Sequence, residues 1–442
     1  MPKSTPQSDH VQWFRHAAPY INSHRNKIAV IAFSGEAAQN THELTQLLHD
    51  IATLQCLGMK CVVVFGSRPQ IGARLKQANL TPTYHNGLRI TDAKTLPHVM
   101  EASGNTRVII ESILSMGLPN TAMAATRLCV TSGNFVTAKP YGIRDGIDYQ
   151  HTGEVRRIDK KSICKLLDDG NLVLLSNIGY SPTGEVFNLN AEDVAAQTAA
   201  LLNADKLIYI TENKLPKLAK TNDAQQLNAK QLGDLLQQRK KLKTDVRSYL
   251  THALAACTQG VSRVHLINRK LDGALITELY TRDGCGTLIT NEPYESMRCA
   301  SINDIGGIME LIQPLQEEGI LIKRSLEQLE LDIKQFSVLE RDGMVLACAS
   351  MVAYPNESTA ELACLAVHHD YRQAKRGARL LMHIESIAIE KNIKQLFVLT
   401  TRSTHWFREH GFNLGKTTDI PVKKRMLYNY HRNSKVLLKQ LG

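Results

Sequence analysis

The sequence predicts an α/β protein: a mostly parallel sheet sandwiched by helices, followed by a smaller α+β domain. Three observations carry this. The 442 residues exceed one ordinary domain. From residue 26 onward, short runs that are apolar throughout alternate with helical patterns, as in parallel sheets covered on both faces. Beyond residues 284–298 the alternation gives way to closely spaced strands at 336–340, 344–354, 360–367 and 395–401, preceded by helices at 303–318 and 325–335. The resulting division is an N-terminal arm (1–25), a first domain (26–285), a linker (286–297) and a second domain (298–442).

In order along the chain, "SDHVQWFRHAAPYINSHR" (8–25) reads as an amphipathic helix, with Val11, Phe14, Ala18 and Ile21 at helical spacing and Pro19 expected to break or kink its middle. Either it packs as a terminal helix or it serves as an oligomerisation arm. "NKIAVIAFSG" (26–35) and "KCVVVFGS" (60–67) are strands, followed by helices near 41–57 and 69–78. "RVII" (107–110), "LCVTSG" (128–133), "NLVLLSNIG" (171–179), "KLIYIT" (206–211) and "SRVHLIN" (262–268) read as further strands, with helices near 190–203 and 245–258. The lysine-rich stretch 213–243 reads as a surface excursion with no strong strand. Ligands of parallel sheets bind at the carboxyl ends of the strands, so the glycine-containing turns after the first two strands are the places to inspect.

Composition narrows the function. The net charge of +11 is spread along the chain, and its densest clusters, "RKKLK" (239–243) and "KKR" (423–425), lack interleaved aromatics, which favours an enzyme of anionic substrates over a nucleic-acid binder. The nine cysteines show neither a CxxC pair nor metal-type spacing, so reduced thiols and no metal site are expected. The first twenty residues hold no signal-peptide core, and apolar runs such as "CVVVF" are far too short to span a bilayer. A cytoplasmic protein without membrane or nucleic-acid partners is the expectation.

The second domain carries the strongest local signal. The strand "ELACLAV" (361–367) runs into "HHDYRQAKRGA", which opens the helix "RLLMHIESIAIEK" with Leu380, Leu381, Ile384, Ile387 and Ala388 on its buried face. A strand, a glycine-bearing turn and a helix N-terminus aim free amides and a positive dipole outward, and Arg372, Lys375, Arg376 and Arg379 add charge; this suits a pyrophosphate. Glu361 is the only carboxylate in the strand and a candidate general base. Simple alternation puts Glu361 and Cys364 on opposite faces, so they share a site only if the strand is bulged or splayed. Thr400 and Thr401 end the neighbouring strand and offer hydroxyls as proton donors, with Tyr428 as an alternative to Thr400. Arg324 and Arg432 are candidates for gripping carboxylates through bidentate forks.

The run Gln373-Ala374-Lys375-Arg376-Gly377-Ala378 resembles the Q/R-x-x-G-x-G/A loop of the GNAT acetyltransferases, with Arg376 where the first glycine usually stands, and "FREHGF" (407–412) resembles their aromatic-x-x-x-Gly-Phe element. The Arg376 side chain is expected to face the pyrophosphate or solvent. More widely, "GILIKRS", "ELACLAVHHDY", "LFVLTTRSTHWFREHGF" and "LYNYHRNSKVL", together with "GLRITD" (87–92), "SGNFVTAKP" (132–140), "FNLNAEDVAAQTAALLNADKLIYIT" (187–211) and "ELYTRDGCGT" (278–287), resemble the bacterial N-acetylglutamate synthase family over nearly the whole chain.

That resemblance implies an amino-acid kinase-like first domain and a GNAT second domain. It implies acetyl transfer from acetyl-CoA, as co-substrate with no tightly bound cofactor, to L-glutamate at the opening of arginine biosynthesis. The base falls on Glu361 and the assisting hydroxyl on Thr400. The glutamate site comprises Arg324, Cys364 and Arg432, and the acetyl-CoA site Leu365, Ala366, Val367, Gln373, Lys375, Arg376, Gly377, Ala378, Arg379 and Phe407. L-Arginine inhibits by feedback at a site of His16, Tyr20, Lys206, Glu278 and Gly284, in a hexamer.

A working kinase of this fold needs a lysine in its first strand and glycine runs in both phosphate turns. Here Ala32 stands for the lysine, Ser34 for the first glycine, Ser67 and Arg68 interrupt the second run, and Glu192 replaces an aspartate. Phosphoryl transfer depends on positioning and charge neutralisation, so these losses should abolish it. Two other readings stay open: an acetylglutamate kinase with an appended acetyltransferase-like module, and a non-catalytic amino-acid sensor.

Overall fold

The computed structural model describes residues 6–116, 128–212, 226–238, 242–290, 295–341, 343–372 and 375–441. The chain divides into two compact units, Met1–Glu292 and Pro293–Gly442.

The first unit is built on an eight-stranded sheet. Its order is Gln226–Asn228, Thr287–Thr290, Arg263–Asn268, Lys206–Thr211, Ile28–Phe33, Lys60–Phe65, Leu172–Ser176 and Val130–Ser132. All neighbours are parallel except Arg263–Asn268 with Thr287–Thr290. The central strands are buried on both faces. Val30, Ala32, Val62 and Val64 pack under the helix Ala191–Leu202, while Ala29, Ile31, Val63 and Phe65 pack toward Leu44, Leu48 and Ile51 of the helix Thr41–Cys56. This is why those strands read as unbroken apolar runs.

Several expectations are corrected. Pro19 does not interrupt the first helix, which runs unbroken from Pro6 to His24. Ala17 and His24 are its buried residues among those described, whereas Val11, Trp13 and Phe14 are exposed. "RVII" is not a strand; it lies within the helix Leu96–Ser115, whose buried positions Val99, Ala102, Thr106, Ile110 and Ile113 follow the helical period. The excursion 213–243 holds a strand and a helix: Gln226–Asn228 extends the main sheet, and Ala229–Gln238 buries Leu232 and Leu235. A second sheet, Val186–Asn188, Ile178–Tyr180, Val136–Pro140 and Gly153–Ile158, was not anticipated.

The second unit is a seven-stranded sheet in the order Ser296–Cys299, Phe336–Arg341, Met344–Tyr354, Thr359–Val367, Gln395–Thr400, Lys435–Gln440 and Asn413–Gly415. It is antiparallel except for one pair, Thr359–Val367 with Gln395–Thr400. Helix Arg376–Glu390 covers one face with Leu380, Leu381 and Ile384; helix Ile305–Glu317 covers the other with Ile308 and Ile312. Ser296–Cys299 and the last two strands were not foreseen. Arg298 secures the first of these, donating to both carboxylate oxygens of Asp304 at 2.8 Å and to Glu340 at 2.9 Å, and this network holds the Asp304 carboxyl far below its ordinary range.

Because Ile384 is 1% exposed between this helix and the sheet, Ile384→Ala should lower the stability of the second unit by about 2–5 kcal/mol, measured by denaturant unfolding.

Candidate active site

The parallel pair in the second unit makes a cleft. Thr359, Ala360 and Glu361 pair with Gln395, Leu396 and Phe397, and there the pairing stops. Gln395–Thr400 continues alongside Lys435–Gln440, while the other strand continues alongside Met344–Tyr354. Glu361 sits at the fork, Thr400 lies further along one arm, and residues 362–367 present a free backbone edge.

A bulge decides what faces this cleft. Cys348 pairs with Ala366 and Ser350 with Ala363, so Ala349 alone stands against Cys364 and Leu365. Cys364 takes the extra residue in a left-handed conformation, φ 51°. One inserted residue reverses the in–out parity. Before it, Ala360 and Leu362 face the helix Arg376–Glu390; after it, Cys364 and Ala366 face the helix Ile305–Glu317. Glu361 and Cys364 therefore end on one face, the condition that simple alternation forbids.

The charges around them converge. The field at Cys364 comes from Arg324, Glu361, Lys424 and Asp332, and burial pushes its thiol above the ordinary range. Glu361 is 6% exposed, with Lys424 Nζ 2.8 Å from its Oε2. Arg324 Nη1 lies 3.5 Å from Asp332 and its guanidinium over the Phe336 ring. Arg432 Nη2 donates to the Ile320 carbonyl, while its Nε is buried with no hydrogen-bond partner among the described residues. Thr400 Oγ accepts from the amides of Arg402 and Ser403, which leaves its hydrogen free to be donated. The Tyr428 hydroxyl instead donates to Ser434 O at 2.6 Å. Lys424 had no assigned role in the sequence; the signal was its place in the basic run 423–425.

The loop after the bulged strand has the expected form with one correction. Lys375 caps the helix Arg376–Glu390 from a left-handed conformation, φ 55°, with no side-chain cap, so the amides of Gly377 and Ala378 point out of the helix end. A Cβ on Gly377 would come 3.3 Å from Trp406, which packs closely here. Arg376, however, does not face pyrophosphate or solvent. It is 6% exposed, donates from Nε (2.8 Å) and Nη2 (2.6 Å) to Glu295 and from Nη1 to Tyr371 O at 3.1 Å. Arg379 donates to the other Glu295 oxygen at 2.5 Å. A buried carboxylate thus takes up both guanidiniums, and the phosphate-binding capacity of this turn rests on backbone amides and Lys375. Phe407 is 4% exposed and packs edge-on against Trp406 and Phe412, a core position. Leu365 and Val367 are partly buried, and Ala366 is buried, on the free strand edge. Gln373 lies outside the described residues.

In the first unit, Glu278 is the centre of a second cluster. It accepts from His265 Nδ1 at 2.7 Å and from the amides of Cys285 and Gly286 at 2.7 Å, which together hold its carboxyl below the ordinary range against the effect of burial. Gly284, φ 60°, is obligatory there, because a Cβ would lie 2.5 Å from Glu278 Oε2. Lys206 is buried and bonded to Asp205 at 2.6 Å. Tyr20 lies 6.5 Å from the His24 ring, and His24 donates from Nε2 to Leu279 O at 2.9 Å. His16 is exposed, and among the described residues no bond of its side chain joins it to this group. His24 and His265, not singled out from the sequence, belong to it.

The turns of a phosphate site are filled. Ala32 is buried in the sheet. Ser34 donates to Glu212 at 3.0 Å, and Arg269 binds both Glu212 and Glu43. A Cβ on Gly35 would meet Gln70 at 2.4 Å, so the second turn closes over the first. This carboxylate-lined, occupied turn repels a phosphate.

Two outcomes follow. Arg376→Gly strips Glu295 of a buried partner and should destabilise the second unit by about 3 kcal/mol, read from denaturant midpoints. Burial first, then Lys206, pushes the His24 imidazole down to about 4. The unfolded chain binds this proton near pH 6.5, so the contribution is complete above that pH and is lost as pH falls toward 4, by about 3 kcal/mol in total. His24→Gln, which can still donate to Leu279 O, should flatten that part of the stability–pH curve.

Residues 27–268 match the amino acid kinase family and residues 307–412 the acetyltransferase (GNAT) family. The chain is 49% identical over 436 residues to the amino-acid acetyltransferase of Pseudomonas fluorescens Pf-5, covering 98% of this chain and 100% of that one, and 48% identical over 434 residues to that of Pseudomonas putida GB-1, with the same coverage. It superposes on N-acetylglutamate synthase from Neisseria gonorrhoeae, complexed with coenzyme A and L-arginine, with a TM-score of 0.87 at 35% identity, covering 98% of this chain and 99% of that one. The same enzyme complexed with coenzyme A and N-acetylglutamate gives 0.62 at 35% identity and the same coverage. With a GNAT domain behind an amino-acid kinase fold, the chain belongs to the amino-acid acetyltransferase family and is an enzyme of that kind.

Proposed function

We propose that this enzyme transfers the acetyl group of acetyl-CoA to the α-amine of L-glutamate, giving N-acetyl-L-glutamate and CoA, as the first step of arginine biosynthesis. The observation that carries the reading is the bulge that turns Glu361 and Cys364 to one face at the strand fork, beside Arg324 and Lys424.

Acetyl-CoA lies with its pyrophosphate at the amides of Gly377 and Ala378, and its pantetheine arm runs along the free edge from Cys364 to Val367. Arg324 and Arg432 hold the carboxylates of glutamate. Glu361 takes a proton from the α-ammonium, directly or through one water. The neutral amine attacks the thioester carbonyl carbon, and backbone amides near Cys364 stabilise the oxyanion. The C–S bond then breaks as the nitrogen gives up its second proton, and the thiolate receives a proton relayed through the Thr400 hydroxyl, which ends the step protonated; the first proton stays on Glu361. Tyr428 is the weaker donor because its hydrogen is committed to Ser434 O.

The first unit serves as the sensor for L-arginine. Glu278 pairs with the guanidinium, displacing His265, while Lys206 takes the carboxylate and Tyr20 closes over the ligand. His265 supports this, since its Nε2 is buried without a partner among the described residues. The exposed Val11, Trp13 and Phe14 suit an oligomerisation arm, and a hexamer in the cytoplasm completes the reading. No described helix is long and apolar enough to cross a membrane. The kinase alternative is disfavoured by the buried Ala32 and the carboxylates at the first turn.

The test is thiol release from acetyl-CoA with L-glutamate, with and without L-arginine. Turnover should need glutamate, slow with arginine, and fall about 100-fold or more in Glu361→Gln. Turnover indifferent to arginine would remove the sensor role, and no turnover with glutamate would remove the proposed acceptor.

A further inference from the structure

The basic run 423–425 has no part in the scheme above, yet its middle residue touches the base. The short helix Val422–Met426 is anchored by Arg425, whose Nη2 donates to Thr418 O at 2.8 Å and Ile420 O at 3.2 Å. That anchor presents the sheltered Lys424 ammonium to the buried Glu361 at 2.8 Å. An ion pair this sheltered is unusual beside a group that must accept a proton, because the ammonium engages the lone pair that the substrate needs.

The charge balance suggests why it is there. The charged groups facing this part of the cleft are Arg324 and Asp332 from the segment before the second strand, Glu361 on the bulged strand, and Lys424 from the C-terminal segment. Tyr354 and Cys364 also face Glu361 and are neutral, both pushed upward. Two cations, Arg324 and Lys424, balance two carboxylates, Glu361 and Asp332. When an α-ammonium takes over Glu361, Lys424 loses its partner: a second carboxylate on the acceptor compensates it, whereas a neutral side chain leaves a sheltered cation uncompensated, which is costly.

We propose that Lys424 is a specificity-determining residue: the α-ammonium of the acceptor displaces it from Glu361, and the released ammonium takes a carboxylate of the acceptor. The exchange replaces one ion pair with two, frees Glu361 to act, and favours dicarboxylic amino acids over their amides. This inference rests on the acetyl-transfer reading with Glu361 as base.

The experiment compares L-glutamate with L-glutamine as acceptors for the native enzyme, Lys424→Met and Lys424→Arg, each checked for an unchanged thermal melt. In Lys424→Met, kcat/KM for glutamate should fall about 10- to 100-fold, mostly through KM, with KM for acetyl-CoA unchanged and glutamine little affected. The glutamate-to-glutamine preference therefore shrinks, and Lys424→Arg restores part of it. Equal losses with both acceptors, or an unchanged preference, would overturn the role of Lys424 while leaving the acetyl-transfer reading in place. Absence of glutamate turnover by the native enzyme would overturn both.

Discussion

One extra residue in one strand governs the second unit. A β-strand of even register gives Glu361 and Cys364 to opposite faces. The bulge opposite Ala349 cancels that parity, and the left-handed Cys364 accommodates it. On the other side the strand is unpaired with Gln395–Thr400 beyond Glu361, so the shared face and the free backbone edge meet in one stretch. The flanking helices follow from it: Arg376–Glu390 covers the residues before the bulge and Ile305–Glu317 those after it.

Electrostatics then separate the roles of the two units. In the second, Arg324 and Lys424 gather with Glu361 and Asp332 around Cys364, and Lys424 pairs directly with Glu361. At the turns of the first unit, carboxylates gather instead: Glu212 and Glu43 hold Arg269, and Glu212 accepts from Ser34. Charge neutralisation is what a transferring phosphoryl group requires, and the acids around this turn are already engaged with Arg269 and Ser34. Another polar centre of that unit, around Glu278, is preorganised by two backbone amides, with Gly284 packed against its carboxylate.

Arg376 shows how far a motif carries. The residues around it mark the loop although Arg376 departs from the motif, and the local sequence suggests a side chain facing pyrophosphate or solvent. Glu295, 81 residues earlier, claims it instead. No local pattern announces such a partner. "RVII" failed for the opposite reason. Four β-branched or long residues resemble a strand in isolation, while the burial period from Val99 to Ile113 that makes them helical extends over several turns and could have been read.

The sequence by itself determined what depends on neighbours within a few residues. These are the apolar strands of the parallel sheet, the helix that opens at Gly377, the missing lysine at Ala32, and the residue types able to move a proton or hold a carboxylate. Tertiary structure alone decided which face of its strand Glu361 shares, which carboxylate holds Arg376, and that Lys424 reaches Glu361. The physical reason is range. Periodicity reports whether a residue is inside or outside its own element, but side-chain parity after a bulge and the choice of ionic partner depend on strands and segments far along the chain.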